Sequence, residues 1–197
     1  AVRRELRNTH GVLILSADRQ FADPTTPAGE LYESFATHQA REENRKKAHQ
    51  VKRSKRDMVS HFQVWPGGPC PFGYRFAPKI VRQSVVGNTL EINRPEARVL
   101  NRLFRWARRT GYGSTRLTKM LNGFEQFAHL RPFHASTVGD WLADELYIGT
   151  LVYPRVATDI VNEVRRVEPV PEEERIRIEG FCPPIIRGPV FNEVQAL

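Results

Sequence analysis

The stretch WPGGPCPFGYR, residues 65–75, divides the sequence into two unlike parts. Pro66, Pro69 and Pro71 lack backbone donors and hold φ fixed, and Gly67, Gly68 and Gly73 loosen the chain around them. No helix can cross it. The spacing predicts an extended arm that ends in a turn at Phe72-Gly73, with a strand leaving through Tyr74, Arg75 and Phe76. A flat Gly-Pro arm beside basic residues suits a narrow groove, such as the minor groove of DNA, where bulky side chains clash. The same composition suits a plain linker between domains. A groove-binding arm is expected to be disordered without DNA and to serve binding rather than folding, so that valines at Gly67 and Gly68 leave the melting temperature unchanged.

Upstream, a helix is expected from Gly29 to Arg56. Thr25-Thr26-Pro27 gives it a start, and Glu30 places negative charge in its first turn. Leu31, Phe35 and Gln39 form one stripe, with Tyr32, Ala36 and Ala40 beside it, so the first half is expected to pack on protein. The second half has no apolar face. From Arg41 to Arg56 it carries eight Lys and Arg against Glu42 and Glu43, a net charge of +6 out of +8 for the whole chain. Such a segment either forms a solvated face or lies on a polyanion, where counterion release favours binding. The rest of the chain reads as nearly balanced in charge.

Further upstream, Gly11–Ser16 reads as a buried strand and Asp18–Pro27 as a polar loop. Downstream, a second strand is expected at Thr89–Ile92, with Gly87-Asn88 as the turn signal before it. Asn93 and Pro95 start a helix whose inner face is Leu100, Leu103, Phe104 and Ala107 and which ends at Gly111 and Gly113. Ser114 is expected to cap a second helix with Leu117, Met120, Leu121 and Phe124 inward, followed by a loop over residues 128–134. Ser136 caps a third helix with Val138, Trp141, Leu142 and Leu146 inward. These last two helices read either as a helix-turn-helix or as part of a plain three-helix core. Thr137, Asp140 and Asp144 face outward, and two carboxylates are awkward on a face that approaches phosphates. Tyr147–Tyr153 reads as a strand, residues 159–175 as an exposed charged loop, Arg175–Glu179 as a strand and Val190–Leu197 as a helix. The fold class is therefore α+β and mainly helical: a long linker helix, then a small domain with helix-turn-helix-like packing and short β-hairpins.

At 197 residues there is room for one or two small domains. No apolar run of ~18 residues is present, so no membrane span is expected. The start, AVRRELRNTHGVLIL, lacks the features of a secretion signal, and the chain reads as a piece of a longer protein. Cys70 and Cys182 are single and far apart, which argues against a zinc site and fits a reducing cytoplasm. No catalytic constellation stands out. Ser16 lies near Asp18 without a histidine close in sequence, the histidines are scattered, and Glu172–Glu174 reads as a solvated loop. No metal and no cofactor are expected.

Five segments in order resemble the large serine recombinases, or serine integrases. GVLILSADRQFADPTTPAGELYESFATHQAREENRK resembles the last strand and long helix of their resolvase-type catalytic domain. GGPCPFGYRF resembles the entry to their recombinase domain. LEINRPEARVLNRLFRWARRTGYGSTRLTKMLN, STVGDWLADELYIGTLVY and PPIIRGPVFNEVQAL resemble its later parts. Asp144-Glu145-Leu146 stands where the family has Asn-Pro before Tyr-x-Gly.

The resemblance implies residues 1–57 as the end of the catalytic domain with its dimer-forming, DNA-crossing helix, 58–76 as the arm, and 77–197 as the recombinase DNA-binding domain. It places the family's nucleophilic serine before these residues and a zinc ribbon after them, so this chain is expected to bind double-stranded DNA at an attachment half-site and cut nothing. The parent enzyme would self-associate as a dimer or tetramer, in a bacterial or phage cytoplasm. Phosphate contacts are assigned to Lys52, Arg53, Lys55 and Arg56, the minor groove to Gly67 and Gly68, and positions near the duplex to Arg75, Arg116, Lys119 and Thr137. A stand-alone helix-turn-helix regulator and a nuclease with an unrecognised site remain the other classes.

Overall fold

A computed structural model of the chain describes residues 9–11, 26–130, 132–161 and 164–197. The strand expected at Gly11–Ser16, including Ser16, and most of the loop after it lie outside the described residues. The fold is α+β and mainly helical, and the chain divides into two units, residues 1–53 and 54–197.

In the first unit the described structure is nearly all one helix. Helix α1 runs Pro27–Asp57, across the unit boundary. Its start follows from Thr26, whose hydroxyl accepts a hydrogen bond from the Gly29 N–H at 3.1 Å. The stripe expected to pack on protein is not covered by any described residue: Leu31 is 72% exposed and Phe35 65%. Every residue from Glu43 to Asp57 is exposed, as expected for a helix half with no apolar face.

In the second unit, α1 passes into a π-helical turn, Met58–Phe62, which ends at Gln63 in the left-handed region. Val59 and Val64 are fully buried and fix this exit against the strands. Strands β1 (Tyr74–Val81) and β2 (Ser84–Ile92) pair antiparallel. The hairpin is longer than expected and turns elsewhere. Its two-residue turn is Arg82-Gln83, with φ of 48° and 65°, the positive pair that a tight hairpin of type I′ requires. Gly87 is instead inside β2, opposite Lys79 next to a bulge. A side chain there would press on Val64, whose atoms lie 3.1 Å from the position of a Cβ. The turn signal in the sequence thus marks a close approach of two chain segments.

Helix α2 (Arg94–Thr110) starts and stops as expected, at Asn93 and at Gly111 with φ 63°. Its inner face is Val99, Leu100, Leu103, Phe104 and Ala107, all nearly inaccessible. Asn93 sits at the cap position, but its side chain makes no capping bond. Glu96 does comparable work by accepting the Gly73 N–H at 2.7 Å, which ties the turn before β1 to the start of α2. Helices α3 (Ser114–Asn122) and α4 (Ala135–Ala143) follow, capped by Gly113 and His134 rather than by Ser114 and Ser136. They touch where Gly139 faces Ser114. Their packing is helix-turn-helix-like, but residues 123–134 between them include a 3-10 segment, Glu125–Leu130, longer than a tight turn. Asn122 closes that connection by bonding both the N–H and the carbonyl of Phe133, at 3.0 and 2.9 Å.

The segment read as a strand from Tyr147 begins as a 3-10 turn, Glu145–Ile148, and only Leu151–Tyr153 is strand, β3. Asp144 caps that turn through the Leu146 N–H and pairs with Arg155. It is therefore a structural carboxylate, which removes one of the two acids that counted against α4 as a DNA-facing helix. Residues 159–175, expected as a loop, contain most of a hairpin, β4 (Val156–Val161) with β5 (Val164–Pro169). Strand β6 (Ile176–Ile178) pairs with β3, and α5 (Gly188–Gln195) closes the unit.

Two apolar clusters form the core. One gathers Tyr74, Leu90, Phe104, Tyr147, Phe181 and Phe191; the other gathers Val99, Leu103, Leu117, Leu121, Phe133 and Val138. Phe72 joins them, stacked on Trp141 at 4.3 Å and edge-on to Phe133 at 6.3 Å.

Candidate nucleic-acid interface

The residues of the arm split into an exposed tip and a buried root. Gly67, Gly68 and Pro69 are exposed, whereas Phe72 is half-buried and Gly73 and Tyr74 are buried. Gly73 has φ 94° and sits in a turn closed by the Tyr74 N–H on the Pro71 carbonyl at 3.1 Å. Leu100 Cδ1 and Ile185 Cδ1 lie 2.5 and 2.8 Å from where its Cβ would be, so only glycine fits. The turn at Phe72-Gly73 is as expected, but the root is part of the core. Phe72 makes it so, because it packs against both core clusters.

The tip has its own backbone requirement. Gly67 and Gly68 have φ of 102° and 91°, a region that β-branched residues enter only under strain. Valines there would cost stability whether or not DNA is present, contrary to the expected silence in melting. The other end of the tip is pinned by the Trp65 N–H on the Asn88 carbonyl at 2.7 Å. The Lys55 ammonium lies 3.6 Å from the Cβ position of Gly67, so the last turn of α1 and the tip share one surface.

Lys52, Arg53, Lys55 and Arg56 are exposed at the end of α1. Arg56 also donates to the Glu174 carbonyl at 3.0 Å. Arg75 is exposed on β1 and paired with Glu91 across the hairpin at 2.9 Å, a contact that competes with any phosphate. Arg116 and Lys119 are exposed on α3, and the Arg116 guanidinium lies over the Tyr112 ring at 4.4 Å. Thr137 is half-buried on α4. The structure brings Lys55 together with Gly67; it shows no contact that gathers Arg75, Arg116, Lys119 and Thr137 around them.

A second concentration of charge escaped the sequence reading. Helix α2 carries six arginines, Arg94, Arg98, Arg102, Arg105, Arg108 and Arg109, against Glu96 alone. Charge elsewhere in the chain is balanced only on average. The spacing Arg98, Arg102, Arg105, Arg109 is helical and was available as a signal, but the apolar face of this helix dominates its pattern.

Among the described residues no group of three or more His, Cys, Asp or Glu could hold a metal ion, and no helix is long and apolar enough to cross a membrane. The polar groups displaced most strongly from ordinary titration are in the core. Burial pushes the Cys182 thiol up to about 11, from an ordinary value near 9. Its Sγ lies 3.5 Å from the Leu146 carbonyl. Burial also raises Tyr74 and Tyr147 far above the usual phenol range. The Tyr74 hydroxyl lies 3.0 Å from the carbonyls of both Leu146 and Pro183. These groups fold neutral, so the stability that Cys182 confers is complete below about pH 9 and is lost as pH rises through about 11, and that of the two tyrosines begins to fall above about pH 10. Urea unfolding at pH 8 and pH 10.5 is expected to show a lower midpoint at the higher pH. Equal midpoints would show that these groups titrate alike in the folded and unfolded chain.

A family model described as Recombinase matches residues 94–197. No curated protein matches the chain. One solved structure, "Crystal Structure of a LSR-DNA Complex", is similar at 17% identity over 75% of this chain and 36% of that chain, with a TM-score of 0.47. Another, "Sequence Requirements of the Listeria innocua prophage attP site", is similar at 19% identity over 66% of this chain and 42% of that chain, with a TM-score of 0.40. The chain thus spans less than half the length of either, and at such values neither likeness carries an argument about this protein. The family match covers just over half of the chain, from the first residue of α2 to the end of the sequence, and by it this protein belongs to the recombinase family, the large serine recombinases that its motifs resemble.

Proposed function

We propose that this chain binds double-stranded DNA at the half-site of an attachment site, as the DNA-binding part of a large serine recombinase. The observation that carries the reading is the placing of Lys55 beside the exposed Gly67–Pro69 tip. A cation and a side-chain-free turn on one surface suit a phosphate and the groove next to it. Lys52, Arg53, Lys55 and Arg56 contact phosphates, Gly67 and Gly68 approach the minor groove, and Arg75, Arg116, Lys119 and Thr137 lie near the duplex. Residues 1–57 serve as the end of a catalytic domain, 58–76 as the arm and 77–197 as the DNA-binding domain. In the whole enzyme, cleavage through a phosphoserine, strand exchange between associated subunits and religation would act on the DNA held here.

Salt titration of binding tests the reading. If α1 neutralises about 4 to 6 phosphates, log affinity falls with log salt at a slope of about −4 to −5. A flat response sinks the proposal. Reversing Arg53 and Arg56 to Glu is expected to weaken binding to every duplex alike, since phosphate contacts carry no base information. Weaker binding to one sequence only would show that they read bases.

A further inference from the structure

We propose that an arginine cleft between α2 and the segment leading into α5 is a second phosphate clamp, outside the surface formed by α1 and the arm. The inference rests on the DNA-binding reading above and adds a site to it. The cleft encloses about 400 Å³ and is walled on one side by Arg105, Arg108 and Arg109, and on the other by Arg187, at the N-terminal end of α5. Arg108 is paired with Glu193 at 2.8 Å. Arg105, Arg109 and Arg187 are exposed and have no carboxylate partner among the described residues.

Arg108 and Arg109 lie in the last turn of α2, where cations complement the negative helix end. That accounts for neither Arg105, a turn earlier, nor Arg187 on the facing wall. Three guanidinium groups of like charge around one concavity repel one another, and an anion at the centre removes the repulsion. Guanidinium groups also match phosphate oxygens in pairs, which favours a phosphodiester. An acidic peptide is the other polyanion of this charge, but such partners gain their affinity from an apolar anchor in a pocket. The floor has little room for one: Phe104 is 1% exposed and Ile186 3%, because Phe104 is already packed on Phe191 at 5.9 Å.

The test is the salt dependence of non-specific duplex binding by the whole chain, wild type against Arg105→Gln, Arg109→Gln and Arg187→Gln combined. The slope is expected to shrink by about 2 to 3, near 0.9 for each phosphate no longer neutralised, with equal effect on all sequences. The corresponding three lysine substitutions are expected to keep the slope. Melting followed by circular dichroism checks that the variants fold, and the single glutamine variants, each expected to lower the slope by about 0.9, replace the combined one if it does not. A normal wild-type slope that the glutamines leave unchanged overturns the clamp and leaves the DNA reading intact. A wild type with no slope overturns the DNA reading itself. Polyglutamate binding that the glutamine variant lacks, with the DNA slope unchanged, assigns the cleft to an acidic protein and also overturns the clamp.

Discussion

Gly73→Val is expected to destabilise residues 54–197 by about 2–6 kcal/mol, from left-handed backbone strain of about 1–3 and overpacking of about 1–3. Gly73 has φ 94°, and its missing Cβ would lie 2.5 Å from Leu100 and 2.8 Å from Ile185. Both neighbours are themselves held, Leu100 inside the core of α2 and Ile185 by its N–H on the Tyr147 carbonyl at 2.9 Å. Leu100 is fully buried, so its side chain has little free space to turn into. For a chain of this size the melting temperature should fall by on the order of 10 °C. Gly68→Ala is the comparison. It has φ 91° and open space around it, so it carries the backbone strain of about 1–3 kcal/mol without the clash. If Gly73→Val melted like the wild type, the root of the arm would not be part of the core. That result would restore the simpler picture of a free arm.

Phe104→Ala is expected to cost about 3–5 kcal/mol, the range for deleting a buried aromatic ring. Phe104 is 1% exposed, lies 5.9 Å from the Phe191 ring and 6.5 Å edge-on from Tyr147. The cavity would open between α2 and α5, so α5 should be the first element to loosen. Amide exchange across Gly188–Gln195 is expected to accelerate more than exchange in α3. Uniform acceleration would show that the unit unfolds only as a whole and that α5 has no separate dependence on this ring.

The helices were legible because each carries its own evidence. Leu100, Leu103, Phe104 and Ala107 recur at helical spacing, Pro95 opens the first turn and Gly111 closes the last. The sheet was less legible. Gly87-Asn88 has the composition of a hairpin turn, yet Arg82-Gln83 makes the turn, against the ordinary preference of both residues for negative φ. The hairpin β4–β5 was hidden in a charged segment, because its sequence shows no sustained apolar alternation. The candidate site divides in the same way. The charge of Arg41–Arg56 is a linear feature and is read at once. The nearness of Lys55 to Gly67 and of Arg187 to Arg105 joins residues distant along the chain, so no spacing rule could find it.

The sequence by itself determined the helical, basic character of α1, the start and stop of α2, the turn at Phe72-Gly73 and the recombinase family. All of these rest on local propensity, periodicity or motif order. Only the tertiary structure decided that the arm is rooted in the core, that Gly87 marks a close approach to Val64, that Asp144 is a structural cap and that four arginines share a cleft. Each of those depends on which segments pack together. Packing is governed by the summed burial of many side chains, which no single stretch of sequence contains.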